Sequence, residues 1–177
     1  MNRPTRLLAI LTCALAMVAI ACTGETTAPD LQFNVISHNE PGKPLRLTRC
    51  TPQPHASNSA RIGPKGGILK AGKHTLKIPA GALKRSVLIT MEAPSDSLNY
   101  VVFGPEGLTF EPGSLPTLNM SYRNCAVPSP AESWLEIVYT DDGLTTLLET
   151  TAPSPGDPMN YIIGAQLKHF SRYAVAY

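Results

Sequence analysis

The chain has 177 residues, 43% of them apolar, with 17 Pro and 13 Gly. That is enough for one domain with a buried core, and the Pro and Gly content favours turns over long helices. The formal charge is +2; setting aside the first 21 residues removes Arg3 and Arg6 and leaves 13 basic against 13 acidic side chains, which gives no electrostatic reason to expect nucleic acid as a partner.

Residues 1–21 read as an address. Two Arg precede the uncharged run Leu7–Ala21, LLAILTCALAMVAIA, which is shorter than the roughly 20 residues a membrane-spanning helix needs. A basic start, a short apolar middle and small residues at the end describe an export signal. Ala19-Ile20-Ala21-Cys22 resembles the bacterial lipobox, which implies that Cys22 carries lipid after cleavage and anchors the chain to a membrane. Plain secretion, with Cys22 incidental, is the alternative. Thr23 rather than Asp follows the Cys, which by the same resemblance implies sorting to the outer membrane of a bacterial cell envelope.

Residues 22–60 form a tether and N-terminal arm. Leu31–Ser37, LQFNVIS, alternates as a strand with Leu31, Phe33 and Val35 on one face, and Leu45-Arg46-Leu47 suggests a second short one. Thr51–Ala60 holds two Pro and no apolar cluster, so it reads as a loop in which His55 is solvated. Of the four Cys, Cys13 goes with the signal and Cys22 with lipid. Cys50 and Cys125 remain as an even pair in an exported chain, the usual setting of a disulfide. Paired free thiols or a metal are the alternatives, and no Cys-x-x-Cys or paired His spacing supports metal.

From residue 61 onward short apolar runs alternate with turns. Gly66-Gly67 leads into Ile68-Leu69; Leu76 and Ile78 share a face; Pro79-Ala80-Gly81-Ala82-Leu83 ends that run; Val87, Ile89 and Met91 alternate again. The glycines do not read as a phosphate loop, because neither Gly-Lys-Ser/Thr nor a helix follows them. Val101-Val102-Phe103 and Leu108–Glu111 flank a Gly-Pro turn and suggest a bent strand pair; Leu118, Met120 and Tyr122 alternate, with Cys125 closing that strand. Trp134–Thr140 reads as a strand, and Asp141-Asp142-Gly143 as a hairpin turn, since the further ligands of a calcium loop are missing. Thr151–Pro158 reads as a loop. Tyr161, Ile163, Ala165 and Leu167 share a face, followed by Phe170, Tyr173, Val175 and Tyr177. About ten short strands and no sustained helical period predict an all-β chain, an antiparallel β-sandwich over residues 61–177.

Gly66-Gly67, Leu76–Leu83, Phe103-Gly104-Pro105-Glu106-Gly107-Leu108-Thr109-Phe110 and Lys168–Val175 together resemble the ZU-5 domain, a module of ankyrins, netrin receptors and a tight-junction scaffold that also occurs in exported bacterial proteins. The resemblance implies a β-sandwich used for protein–protein contact. Here it would be a solitary copy on a lipid tether facing an envelope protein partner. Some ZU-5 members cut themselves between Phe and Ser of a His-Phe-Ser tripeptide. The resemblance therefore implies a self-cleavage alternative at Phe170–Ser171, with Ser171 as nucleophile and His169 taking its proton. The plain reading of the same residues places Phe170 in the core with His169 and Ser171 facing outward. Carbohydrate or another ligand stacking on Trp134 and the six Tyr is a further alternative. His38, His55, His74 and His169 are scattered, no nucleophile or metal motif surrounds them, and the chain reads as a non-enzyme without a cofactor.

Overall fold

The computed structural model describes residues 46–129 and 131–177. The stretch that resembles a lipobox, with Cys22, the expected signal before it, the Leu31–Ser37 run and His38 lie outside the described residues. Thirteen strands are formed among the described ones: β1 Arg49–Cys50, β2 Ala56–Ile62, β3 Gly67–Ala71, β4 His74–Ile78, β5 Val87–Ala93, β6 Tyr100–Gly104, β7 Thr117–Ser121, β8 Cys125–Ala126, β9 Glu136–Thr140, β10 Leu147–Thr150, β11 Ala152–Asp157, β12 Ile162–Gln166 and β13 Arg172–Ala176. Single 3-10 turns at Ala131–Trp134 and Pro158–Asn160 complete the set.

All pairings are antiparallel. One sheet has six strands in the order β10-β9-β13-β6-β5-β2, a second has five in the order β11-β12-β7-β4-β3, and β1 pairs with β8. Both large sheets feed one apolar cluster: Ile62, Ile89, Met91, Val101, Ile137, Tyr173 and Val175 come from the first, Leu69, Leu76, Ile78, Leu118, Met120 and Ala165 from the second. The period-2 alternation of β5 and β7 produces this directly, because alternate side chains of a strand point to opposite faces. Gly66, at φ 73°, makes the turn into β3 possible; a Cβ there would stand 2.3 Å from the Ile78 carbonyl oxygen.

Several elements differ from the sequence reading. Ala56–Ile62 is not a loop but a seven-residue edge strand, paired with β5 along its whole length. Ala152–Asp157 is likewise an edge strand on β12, despite Pro153 and Pro155. Edge strands tolerate Pro and polar residues because one side of the backbone needs no partner. Leu108–Glu111 is not a strand; Thr109 makes one bridge, to His169. Trp134 belongs to a 3-10 turn, and the strand after it starts at Glu136. Cys125 sits on its own short strand opposite Cys50 rather than ending β7. Tyr161 leaves the face of Ile163 and Ala165, caps the Pro158–Asn160 turn at φ 59°, and is half exposed. In the β9–β10 turn the positive φ falls on Leu144 at 55°, not on Gly143.

Candidate functional site

Two places hold the chemistry-bearing residues. The first is the corner where the chain enters β13. Phe170 is fully buried, stacked on Phe103 at 4.9 Å between centroids and edge-on to Phe110 at 5.0 Å. Its backbone is held at both ends. Its N–H donates to the Leu108 carbonyl at 2.8 Å, and its carbonyl accepts from the Gly107 N–H at 2.9 Å. The next carbonyl, of Ser171, accepts from the Phe103 N–H at 3.0 Å. The segments Phe103–Phe110 and His169–Ser171, about sixty residues apart in the chain, are therefore one packed unit.

His169 is partly exposed. Its Nε2 lies 3.6 Å from Glu149 Oε2, its ring meets Tyr139 edge-on at 4.9 Å, and its carbonyl accepts from the Tyr173 hydroxyl at 2.7 Å. The Lys168 ammonium donates to the Glu149 carboxylate, and this hydrogen bond, with the charges of Lys168 and His169, holds that carboxyl below its usual range. Burial, reinforced by Glu149 and Tyr139, pushes the Tyr173 phenol up, so it stays a neutral donor. Ser171 is buried rather than outward-facing, a correction to the plain reading, and its carbonyl accepts from the Phe103 N–H of β6. Among the described residues no hydrogen bond joins the Ser171 hydroxyl to His169, the contact a serine nucleophile and its base would use. Self-cleavage would also need donors at the Phe170 carbonyl, and the Gly107 N–H is one in place.

The second place is a cleft of about 850 Å³ between the Ala131–Trp134 turn, the starts of β9 and β12, and β11. Trp134, Leu135 and Ile163 line it, together with Glu132 and Glu136. Trp134 is 42% exposed. Tyr122 also lines the cleft and meets Tyr161 edge-on at 5.7 Å, and the Arg123 guanidinium stands 5.0 Å over the Tyr161 ring. Burial, then the neighbouring Glu132 and Tyr161, push the Tyr122 phenol up. Of the six Tyr, only Tyr122 and Tyr161 belong to this end with Trp134. The sequence alone did not single out Tyr122 and Tyr161 from the other tyrosines as the ones at this end, since Tyr161 read as an ordinary strand residue.

The other described histidines, His55 and His74, serve local structure. His55 lies 3.1 Å from Glu92 at the exposed root of β2. His74 is half-buried, with Nδ1 accepting the Ser121 N–H at 3.2 Å; loss of solvent around the ring, then the charge of Lys73, lowers its pKa to about 4. Among the described residues no group of three His, Cys, Asp or Glu is placed to hold a metal ion. Cys50 and Cys125 face each other across β1 and β8 and are joined as a disulfide. The Cys50 N–H donates to the Ser97 carbonyl at 2.8 Å, which ties the bridge to the turn before β6. No protein-family model matches the chain, and no curated protein matches it significantly.

Proposed function

We propose that this chain is an exported, lipid-anchored protein of the bacterial cell envelope, whose β domain is a ZU-5-like sandwich that contacts another envelope protein without catalysing a reaction. The observation that carries the reading is the Cys50–Cys125 cystine, because such bridges persist in oxidising compartments and are rare in the cytosol. It agrees with the export signal and with Cys22 as lipid acceptor. Two large sheets sharing one core support the sandwich, and the joint packing of Phe103–Phe110 with His169–Ser171 supports the ZU-5 resemblance, since its separate motifs converge in space. Half-exposed Trp134 and Tyr161 beside the fully exposed Met159 are residue types on which protein contacts concentrate. The test is metabolic labelling with a palmitate analogue followed by cross-linking in intact cells. Label on the wild type, none on Cys22→Ser, and a discrete cross-linked protein in the outer-membrane fraction are expected. An unlabelled chain, or one recovered from the cytosol, would refute the envelope assignment.

The Gly107 donor at the Phe170 carbonyl favours self-cleavage as a second reading. An intact mass for the purified chain, without a fragment starting at Ser171, would dispose of it.

A further inference from the structure

The charged residues of the domain are sorted along the chain. From Arg46 to Met91 the sequence holds nine Lys and Arg and no Asp or Glu; from Glu92 to Tyr177 it holds ten Asp and Glu against three Lys and Arg. The near-neutral total hides a basic part and an acidic part. A local excess of one sign sets the field that a partner meets, whatever the net charge.

The fold gathers four of these cations at one end of the two large sheets. Arg61 lies opposite Leu88 on β2 and β5, and Lys77 lies opposite Ile68 on β4 and β3. Both pairs point outward, because Ile62, Ile89, Leu69 and Ile78 take the inward positions. The turns complete the group. The Gly81 N–H donates to the Pro64 carbonyl at 2.8 Å, and a Cβ on Gly63 would stand 3.5 Å from the Ser86 Cα. Lys65, next to Pro64, and Arg85, next to Ser86, are therefore brought to the same end. All four cations are exposed, and among the described residues no carboxylate forms an ion pair with them. Glu111 reaches this end but is held by Lys84 at 3.0 Å. Beside the cations stand Ile68, 60% exposed, and Leu88, 50% exposed.

We infer that this end docks on the anionic headgroups of a lipid bilayer, with Arg61, Lys65, Lys77 and Arg85 facing the phosphates and Ile68 and Leu88 at the boundary with the acyl chains. Aliphatic side chains flanked by Lys and Arg suit that interface: the charges draw the surface in and the apolar groups leave water. The exposed apolar residues here are aliphatic, not the aromatic platforms on which single-stranded nucleic acid stacks. The choice of a membrane over an acidic protein rests on the proposed lipid tether. The 24 residue steps from Cys22 to Arg46 reach no further than roughly 85 Å, which keeps the domain near headgroups. An acyl anchor joined to a basic patch holds more firmly than either alone. The inference goes beyond the proposed protein contact by giving the domain a second attachment to the membrane.

The experiment uses the full chain from residue 22 onward with Cys22→Ser, so that binding is read without lipid on the protein. A failure here leaves the labelling test of the tether untouched. Sedimentation with vesicles of phosphatidylcholine containing about a third phosphatidylglycerol is compared with phosphatidylcholine alone. Binding to the anionic vesicles only is expected, weakening about tenfold as salt rises from about 0.05 M to about 0.3 M. Lys65→Glu, in an exposed turn, should lower the partition coefficient roughly tenfold. Arg85→Glu, outside any strand, should do the same, and an unchanged urea midpoint verifies that each variant is folded. Arg123→Glu makes the same change in net charge beside Tyr161 and should lower the coefficient less than about twofold, because salt screens charges that lie far from the contact. No binding, equal binding to both kinds of vesicle, or equal losses from Lys65→Glu and Arg123→Glu overturns the inference. Tighter binding to duplex DNA or to polyglutamate than to the anionic vesicles at matched charge also overturns it, and would assign this end to a nucleic acid or to an acidic protein.

Discussion

The two sides on which the large sheets end are built differently. On one side β2 and β3 meet. Ala56, Ala60 and Ile62 point from β2 into the shared core, the Asn58 amide donates to the Lys70 carbonyl of the other sheet at 3.0 Å, and Ile62 fills the space over Gly67. On the other side β10 passes into β11 through Thr151 alone, and β11 brings no apolar side chain inward; it is exposed along nearly its whole length. The cleft at Trp134 is the result. The difference teaches that an edge strand closes a two-sheet protein only if its inward row carries something to bury. Pairing also differs: β2 is matched to β5 along its whole length, whereas the register of β11 on β12 shifts between Ser154 and Asp157.

The largest effect is expected where both sides draw on the same packing. Phe170→Ala removes a ring that touches Phe103 and Phe110 at full burial and should destabilise the domain by about 3–5 kcal/mol, measured by urea denaturation. A loss below about 1 kcal/mol would mean that the corner repacks and that the Phe103–Phe110 turn does not depend on it. Next in size is the cystine. Cys50→Ser with Cys125→Ser opens a loop of 75 residues, for which the chain-entropy estimate is about 4 kcal/mol and measured losses are commonly 2–5 kcal/mol. The same loss should follow from reducing the wild type, and the double variant should be insensitive to reductant.

Acid should distinguish the two sides. His74 stands on β4, beside β3 on the closed side, with its pKa held down to about 4 by burial and by Lys73. The ordinary value is 6.5, so the unfolded chain takes up a proton first as the pH falls. His74 therefore leaves stability intact above pH 6.5, erodes it between 6.5 and about 4, and adds no further loss below that. The total is on the order of 3 kcal/mol. Protonation also removes the acceptor for the Ser121 N–H. His74→Asn offers an acceptor with no proton to gain, so its urea midpoint should be flatter across this window than that of the wild type. An identical slope in both would place the acid sensitivity elsewhere.

The strands that fill the core were legible in the sequence because their signal is local. Ile89 and Met91, or Leu118 and Met120, alternate with polar neighbours and land in the core as the period requires. β2 and β11 were not legible, for one shared reason. Ser57, Asn58 and Ser59 carry no apolar alternation, and Pro153 and Pro155 argue against a strand, so both segments resemble loops until a neighbour offers its backbone. The cystine followed from counting, whereas its seat opposite Ser97 did not. The corner at Phe170 was visible as two motifs, but their contact joins residues far apart in the chain and has no local signature. Leu144 shows a further limit. The Asp141 carboxylate accepts from the Thr145 and Thr146 N–H groups and the Thr145 hydroxyl, and this network sets the turn and leaves the positive φ one residue later than the glycine suggests.

The smallest expected effect tests the comparison most directly. Asn58 is an exposed polar residue in a segment that reads as loop, yet its amide donates the hydrogen bond to Lys70 that joins β2 to a strand of the other sheet. Asn58→Ala should cost about 1 kcal/mol, the net worth of one such bond. Ser154→Ala, at the matching place on β11, should change stability by less than about 0.5 kcal/mol, because nothing across the cleft depends on it. Hydrogen exchange gives the sharper reading. In Asn58→Ala the β3 amides should exchange faster while those of β12 hold, since only the closed side has lost a tie between sheets. Equal acceleration on both sides would mean that the two edges open together, and that the cleft is as firmly supported as the seam it is contrasted with.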